Sequence, residues 1–120
     1  MKVLIVEDNE FNYMVLQDMI EILFPNVEVA IHDSAVKSLE EGSHEQYGLI
    51  LSDIDMPEMS GFEFFTKLRE LGFTMPVIAV TALAVTGDKD KILMHGFSDY
   101  VSKPIDLNEL QRVLEKYIKV

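Results

Sequence analysis

Four segments of this 120-residue chain end in residues that can do chemistry together. Glu7 and Asp8 follow the apolar run 2–6. Asp53 comes directly after the run 48–52, and Asp55 stands two residues on. Thr81 comes directly after the run 76–80, and Lys103-Pro104 follows the run 98–101. The set holds three or four carboxylates, one hydroxyl and one ammonium. Carboxylates crowded into one cleft repel each other and are costly to keep ionised, unless a divalent cation or an ammonium relieves them. All-oxygen ligands of this kind suit Mg²⁺ or Mn²⁺ and not Zn²⁺. A carboxylate beside Mg²⁺ can attack phosphorus and become an aspartyl phosphate. The metal, a lysine and a hydroxyl donor would then hold the equatorial oxygens of the transition state.

Each of these residues also has a plain structural use. A lone Asp after a strand is usually a helix cap or turn residue. Thr81 alone suits a strand-end hydroxyl bonded to backbone, Lys103 a solvated side chain, and Tyr100 a half-buried aromatic. Met56 and Met59 read as packing. The weight lies in the joint arrangement, one chemical group at the end of each successive central strand.

The elements that must position these groups are legible from periodicity. Five short apolar runs, 2–6, 27–31, 48–52, 76–80 and 98–101, read as strands. The first, third and fourth are nearly continuous, as strands covered on both faces are, whereas the second alternates like an edge strand. Helical stripes lie between them. Phe11, Met14, Val15, Met19, Ile22 and Leu23 form the first, ending before Pro25. Ala35, Val36 and Leu39 form a short second, from Ser34 to Gly42. Phe64, Phe65, Leu68 and Leu71 form a third, opened by Ser60 three residues before Glu63 as a capping box and closed by Gly72. Leu107, Leu110, Val113, Leu114, Tyr117 and Ile118 form the last, with Asp106 and Glu109 at its start. A fourth helix over 84–95 has poor intrinsic preference, with Gly87 inside it and Val85 and Thr86 near its start. Strands alternating with helices predict an α/β fold, a doubly wound five-stranded parallel sheet with helices on both faces. Ligands of such sheets bind outside the carboxyl ends of the strands, where the chemical residues stand.

Composition narrows the function classes. The net charge is −11; residues 1–60 carry 13 acids and two lysines, and residues 61–120 carry eight acids and eight Lys and Arg. An acidic surface repels a phosphate backbone, which argues against direct nucleic-acid binding by this domain. With no cysteine there are no disulfides, thiolate metal sites or Cys nucleophiles. No apolar run approaches the ~20 residues that span a bilayer, and the start lacks the pattern of a signal peptide. A cytoplasmic location without membrane attachment is the expectation.

VLIVEDNE (3–10), LILSDIDMPEMSG (49–61), PVIAVTA (76–82) and GFSDYVSKPID (96–106) resemble, in order and separation, the receiver domain of two-component response regulators. The resemblance extends over essentially the whole chain, 1–120, as one domain. It is nearest to stand-alone receivers and those of hybrid kinases. It implies the flavodoxin-like strand order 2-1-3-4-5. It also implies roles: Asp53 as phosphoacceptor, Asp8 and Asp53 as direct Mg²⁺ ligands, the backbone carbonyl of Asp55 as a further ligand, and Glu7 acting through water. Lys103 would contact the phosphoryl group, Thr81 and Tyr100 would be a coupled switch pair, and the Lys103-Pro104 bond would be cis. Asp55 and Leu83 occupy the positions that tune dephosphorylation in the family.

The implied function is a signalling module, not a turnover enzyme. A histidine kinase or histidine phosphotransfer protein would donate the phosphoryl group. The surface of helix 4, strand 5 and helix 5 would then change for a downstream protein or output domain. Three rivals compete. The Asp53-Ile54-Asp55 spacing occurs in phosphatases, but there it follows the first strand. A flavodoxin-like cofactor carrier would need a Gly- or Ser/Thr-rich loop where Glu7-Asp8-Asn9-Glu10 stands. A phosphorylation-independent scaffold would have no use for the complete acceptor set.

Overall fold

The computed structural model describes residues 1–82 and 88–118. Five strands form one parallel sheet: β1 (Lys2–Val6), β2 (Glu28–His32), β3 (Leu49–Asp53), β4 (Val77–Thr81) and β5 (Asp99–Ser102). Their order is β2-β1-β3-β4-β5, the order the resemblance implies. Helices α1 (Glu10–Leu23), α2 (Ala35–Glu41), α3 (Gly61–Glu70), α4 (Asp88–His95) and α5 (Leu107–Leu114) connect and follow them. A short 3₁₀ turn, His44–Gln46, precedes β3. Strands β2 to β5 each lie one residue later than the apolar runs suggest, so that Asp53 and Thr81 become the last paired residues of their strands.

The pleat sorts the strand side chains into two cores. Val3, Ile5, Leu49, Leu51, Ile78 and Val80 face α1 and α5, where they meet Leu16, Ile20, Leu110 and Leu114. Leu4, Val6, Ile50, Val77 and Ala79 face the other way, onto Phe64, Phe65, Leu68 and Ile92. Strands β1, β3 and β4 are buried along nearly their whole length, which is why they read as unbroken apolar runs. The edge strand β2 is only half-buried.

Local signals set most helix boundaries. Asn9, Ser34, Ser60 and Asp106 each accept a hydrogen bond from the backbone N–H three residues on, satisfying a donor the helix cannot. At Ser60 the capping box is complete, with Glu63 returning a bond to the Ser60 N–H. At Asp106 it is not: Glu109 reaches instead to the N–H of Ser102 at the end of β5, 2.7 Å away.

The first helix departs from expectation. Its buried side chains are Leu16 and Ile20, whereas Phe11 and Ile22 are more than 70% exposed and Met14 is exposed as well. Met19 and Leu23 of the expected stripe do pack against the core, together with Tyr13, so the helix is rotated and Phe11, Met14 and Ile22 are left outside. Helix α4 carries a single buried residue, Ile92, among its described side chains, with Leu93 and Met94 exposed. Residues 84–87 of the expected fourth helix, and Leu83, lie outside the described residues.

Candidate acidic metal and phosphoryl site

The ladder register brings the strand ends together. Val6 of β1 pairs with Ser52 of β3, Asp53 pairs with Val80 of β4, and Thr81 pairs with Ser102 of β5. Glu7, Asp53, Thr81 and Lys103 therefore converge at the carboxyl ends of the strands. Glu7, Asp53 and Thr81 are buried, and Asp8 is exposed. Carboxylate oxygens of Glu7, Asp8 and Asp53 all lie within 4.8 Å of one another. Lys103 Nζ stands 3.1 Å from Asp53 Oδ1 and 2.9 Å from Glu7 Oε1. The backbone places this lysine: its N–H donates to the Thr81 carbonyl at 2.9 Å, and its bond to Pro104 is cis, as expected.

The electrostatics fit a site that wants more positive charge than Lys103 supplies. Burial pushes the Glu7 carboxyl above its usual range, and its hydrogen bond to Asp53 adds to this against the pull of Lys103. Asp8 is raised too, by burial first and then by Glu7. For Lys103, burial acts to lower the ammonium, but Glu7 and Asp53 outweigh it and the net shift is upward. Glu7 Oε1 is a buried oxygen that takes the ammonium as an ion partner without accepting an aligned hydrogen bond. An all-oxygen carboxylate set with spare acceptor capacity suits a hard divalent cation. The residues present thus fit the metal anticipated from sequence.

The structure places the remaining candidates as follows. Asp55 follows β3 in a loop, and its side chain is exposed, outside the acidic cluster. Met56 and Met59 of that loop pack against the α3 side of the core. Tyr100 lies on the same sheet face as Thr81 in diagonal register, half-buried against that core, with Lys89 Nζ 5.7 Å from its ring centroid.

Sequence reading missed two features. The first is a polar chain running inward from the surface: exposed Glu41 meets the His32 ring at 2.9 Å, and His32, Ser38 and His44 are hydrogen-bonded in turn at 2.7 and 2.9 Å. Its members come from β2, α2 and the 3₁₀ turn, and no short-range spacing advertises them. The second is the fit of Gly61 against Asp53, treated below.

Comparison with known proteins agrees with this geometry. The model of the response regulator receiver domain matches residues 3–115. A 14.6 kDa protein of Leptolyngbya boryana is 40% identical over 98% of this chain and 89% of its own length. The signal transduction histidine-protein kinase BarA of Escherichia coli K12 is 37% identical over 98% of this chain. The chain spans only 13% of that kinase, and 4% of the hybrid histidine kinase G of Dictyostelium discoideum, which it matches at 35% identity. Among solved structures, the receiver domain of a Pseudomonas aeruginosa PAO1 sensor histidine kinase was determined with a magnesium ion in its active-site cleft. It superposes with a TM-score of 0.81 at 32% identity, covering 97% of this chain and 95% of that one. The receiver domain of Ssk1 from Saccharomyces cerevisiae, crystallised with the histidine phosphotransfer protein Ypd1, gives 0.81 at 26% identity, covering 98% and 88%. With its strand order, its acidic cleft and its lysine in place, the chain belongs to the response regulator receiver domains, the signalling modules of two-component and phosphorelay systems.

Proposed function

We propose that residues 1–120 act as one receiver unit in which Asp53 is the phosphoacceptor. The observation that carries this is the buried Asp53 carboxylate, 3.1 Å from Lys103 Nζ and grouped with Glu7 and Asp8. Asp8 and Asp53 would hold Mg²⁺, or Mn²⁺, directly, with the Asp55 carbonyl as a further ligand and Glu7 acting through water. The bound ion supplies charge neutralisation for the phosphoryl oxygens. The chain's own residues do the rest. An Asp53 oxygen attacks the phosphorus of a phosphohistidine in line, the P–N bond breaks, and the imidazole leaves with the bonding pair. Lys103 offsets the charge on the transferred group, and Thr81 offers a hydroxyl to one of its oxygens.

The acyl phosphate carries roughly −1.5 to −2 charge where the carboxylate carried −1, so up to about one further negative charge appears beside Thr81. Thr81 moves to the phosphoryl group, Tyr100 on the same sheet face follows, and the groove between α4, β5 and α5 changes shape. Lys89, Tyr100, Glu109 and Arg112 line that groove. This is a shift between two states, and moving it from 1:99 to 99:1 takes about 5.5 kcal/mol of differential stabilisation. On the donor side, Phe11 and Met14 expose an apolar face at the start of α1, directly after Asp8. That face suits docking of a histidine kinase or histidine phosphotransfer protein, as the Ssk1 receiver pairs with Ypd1. No described helix is long and apolar enough to cross a membrane, and we assign the chain to the cytoplasm.

A phosphatase using Asp55 as its acid is disfavoured, because the Asp55 side chain is exposed and outside the cluster. The test is incubation with Mg²⁺ and phosphoramidate, followed by intact mass with and without hydroxylamine, which cleaves acyl phosphates. One phosphoryl group that hydroxylamine removes, absent from Asp53→Asn, is the expected result. Uptake on a carboxylate of Asp53→Asn at the wild-type rate would overturn the assignment.

A further inference from the structure

Gly61 opens α3, but it is not one of the positive-φ glycines among the described residues (Gly42, Gly72 and Gly96), so its requirement is for space. A β-carbon at this position would overlap the Asp53 carbonyl oxygen and lie 2.8 Å from Ile54 Cα and 3.0 Å from the Asp53 carbonyl carbon. These are backbone atoms, so no rotamer change can make room. The Gly61 N–H donates to the Ile54 carbonyl at 2.8 Å, closing residues 54–61 into a loop. Inside that loop Glu58 is held at a φ of 68°, a conformation a residue with a β-carbon rarely adopts. The two ends of the loop differ in how far they can yield. On one side the start of α3 is pinned by its complete capping box and by buried Phe64 and Phe65. On the other, the Asp53 carbonyl accepts a side-chain bond from Ser52 Oγ of the neighbouring residue, at 3.0 Å. Relief of an added methyl would therefore fall on the Asp53 and Ile54 peptides.

We propose that Gly61 is a positioning residue for the metal: its missing side chain lets α3 press on the Asp53 carbonyl and fixes the turn that presents the Asp53 carboxylate and the Asp55 carbonyl. The inference rests on the metal assignment made above. Gly61 touches neither ion nor phosphoryl group; it acts through the peptide of Asp53.

The experiment compares Gly61→Ala with Leu68→Ala, a core truncation in α3 away from the Asp53 peptide. Urea denaturation reports stability, calorimetry reports Mg²⁺ affinity, and phosphoramidate labelling reports acceptor activity. Gly61→Ala should lose about 10- to 100-fold in Mg²⁺ affinity, the range typical of groups that orient metal ligands. Leu68→Ala should lose stability and keep its affinity. Should Gly61→Ala fail to fold, amide exchange in the wild type decides instead. Mg²⁺ should slow exchange of the Gly61 N–H relative to the Gly48 N–H, which bonds to Lys2 at the other end of the sheet. A folded Gly61→Ala with wild-type affinity, an affinity loss shared equally by Leu68→Ala, or equal slowing at Gly61 and Gly48 would overturn the inference. Wild-type protein that bound no Mg²⁺ would remove the metal assignment itself, and the inference with it.

Discussion

Helices α3 and α4 cover the same face of the sheet but are held in different ways. Helix α3 buries Gly61, Phe64, Phe65 and Leu68, carries a closed capping box, and places Glu63 in its first turn and Lys67 and Arg69 in its last. Those charges complement the helix dipole. Arg69 also donates to the carbonyls of Phe73 and Met75 and stacks on Phe65, clasping the chain leading into β4. Helix α4 offers Ile92 as its one buried described side chain. Its C-terminal end is attached through His95, whose ring meets Phe62 at 4.9 Å and Phe65 at 5.5 Å, and through Gly96, which lies close over Phe65. The proposed acceptor loop hangs from the firmly held helix, and the proposed responsive surface from the lightly held one. A receiver needs both: a chemical site that stays in place and a partner surface that is cheap to move.

The contrast can be broken first at Phe64, which is fully buried beneath α3. Phe64→Ala should cost about 3–5 kcal/mol, read as a lower urea midpoint; a loss no larger than that of an exposed α4 substitution would end the distinction. Acid is the second probe, because buried His44 packs against Phe64 at 6.2 Å and Phe73 at 5.6 Å, flooring the α3 side. Burial first, and His32 second, hold its imidazole below the ordinary 6.5. The neutral ring is thus favoured in the folded state. The stability this represents is present above 6.5 and is lost as pH falls toward and through the lower folded value. Urea midpoints at about pH 7 and about pH 5 should diverge less in His44→Leu than in the wild type; an unchanged difference would show that His44 is not the group responsible.

Ser60→Ala removes the α3 cap and should cost about 1 kcal/mol. It should also slow phosphoramidate labelling, because it loosens the helix against which the Asp53 loop is set. An effect on stability with no effect on labelling would separate the helix from the site. At the small end, Met94→Ala on exposed α4 should change stability by no more than about 0.5 kcal/mol. A larger loss would mean that α4 is held by more than Ile92 and its C-terminal ring contacts.

Much of the architecture was legible in sequence because its causes are local. Continuous aliphatic runs marked the buried strands, and Ser60 with Glu63 marked the start of α3. The acids and the lysine at strand ends marked the site. Phasing was less legible. On α1, Phe11, Met14 and Ile22 read as a core stripe, yet Leu16 and Ile20 face the sheet. A helix with several apolar stripes can rotate, and only the shape of the surface it meets selects one.

By itself, then, the sequence determined the fold class, the strand ends whose acids and lysine the fold gathers, and the kind of chemistry that acids, lysine and hydroxyl can share. Tertiary structure decided what depends on distant atoms meeting. It set Lys103 between Glu7 and Asp53, sent Glu109 to the end of β5, and left the Asp55 side chain in solvent. It joined His32, Ser38 and His44, and it pressed α3 so closely on the Asp53 carbonyl that position 61 has no room for a side chain. Periodicity and capping are written within a few residues of each other, whereas a steric contact or a buried hydrogen bond exists only once the whole chain has packed.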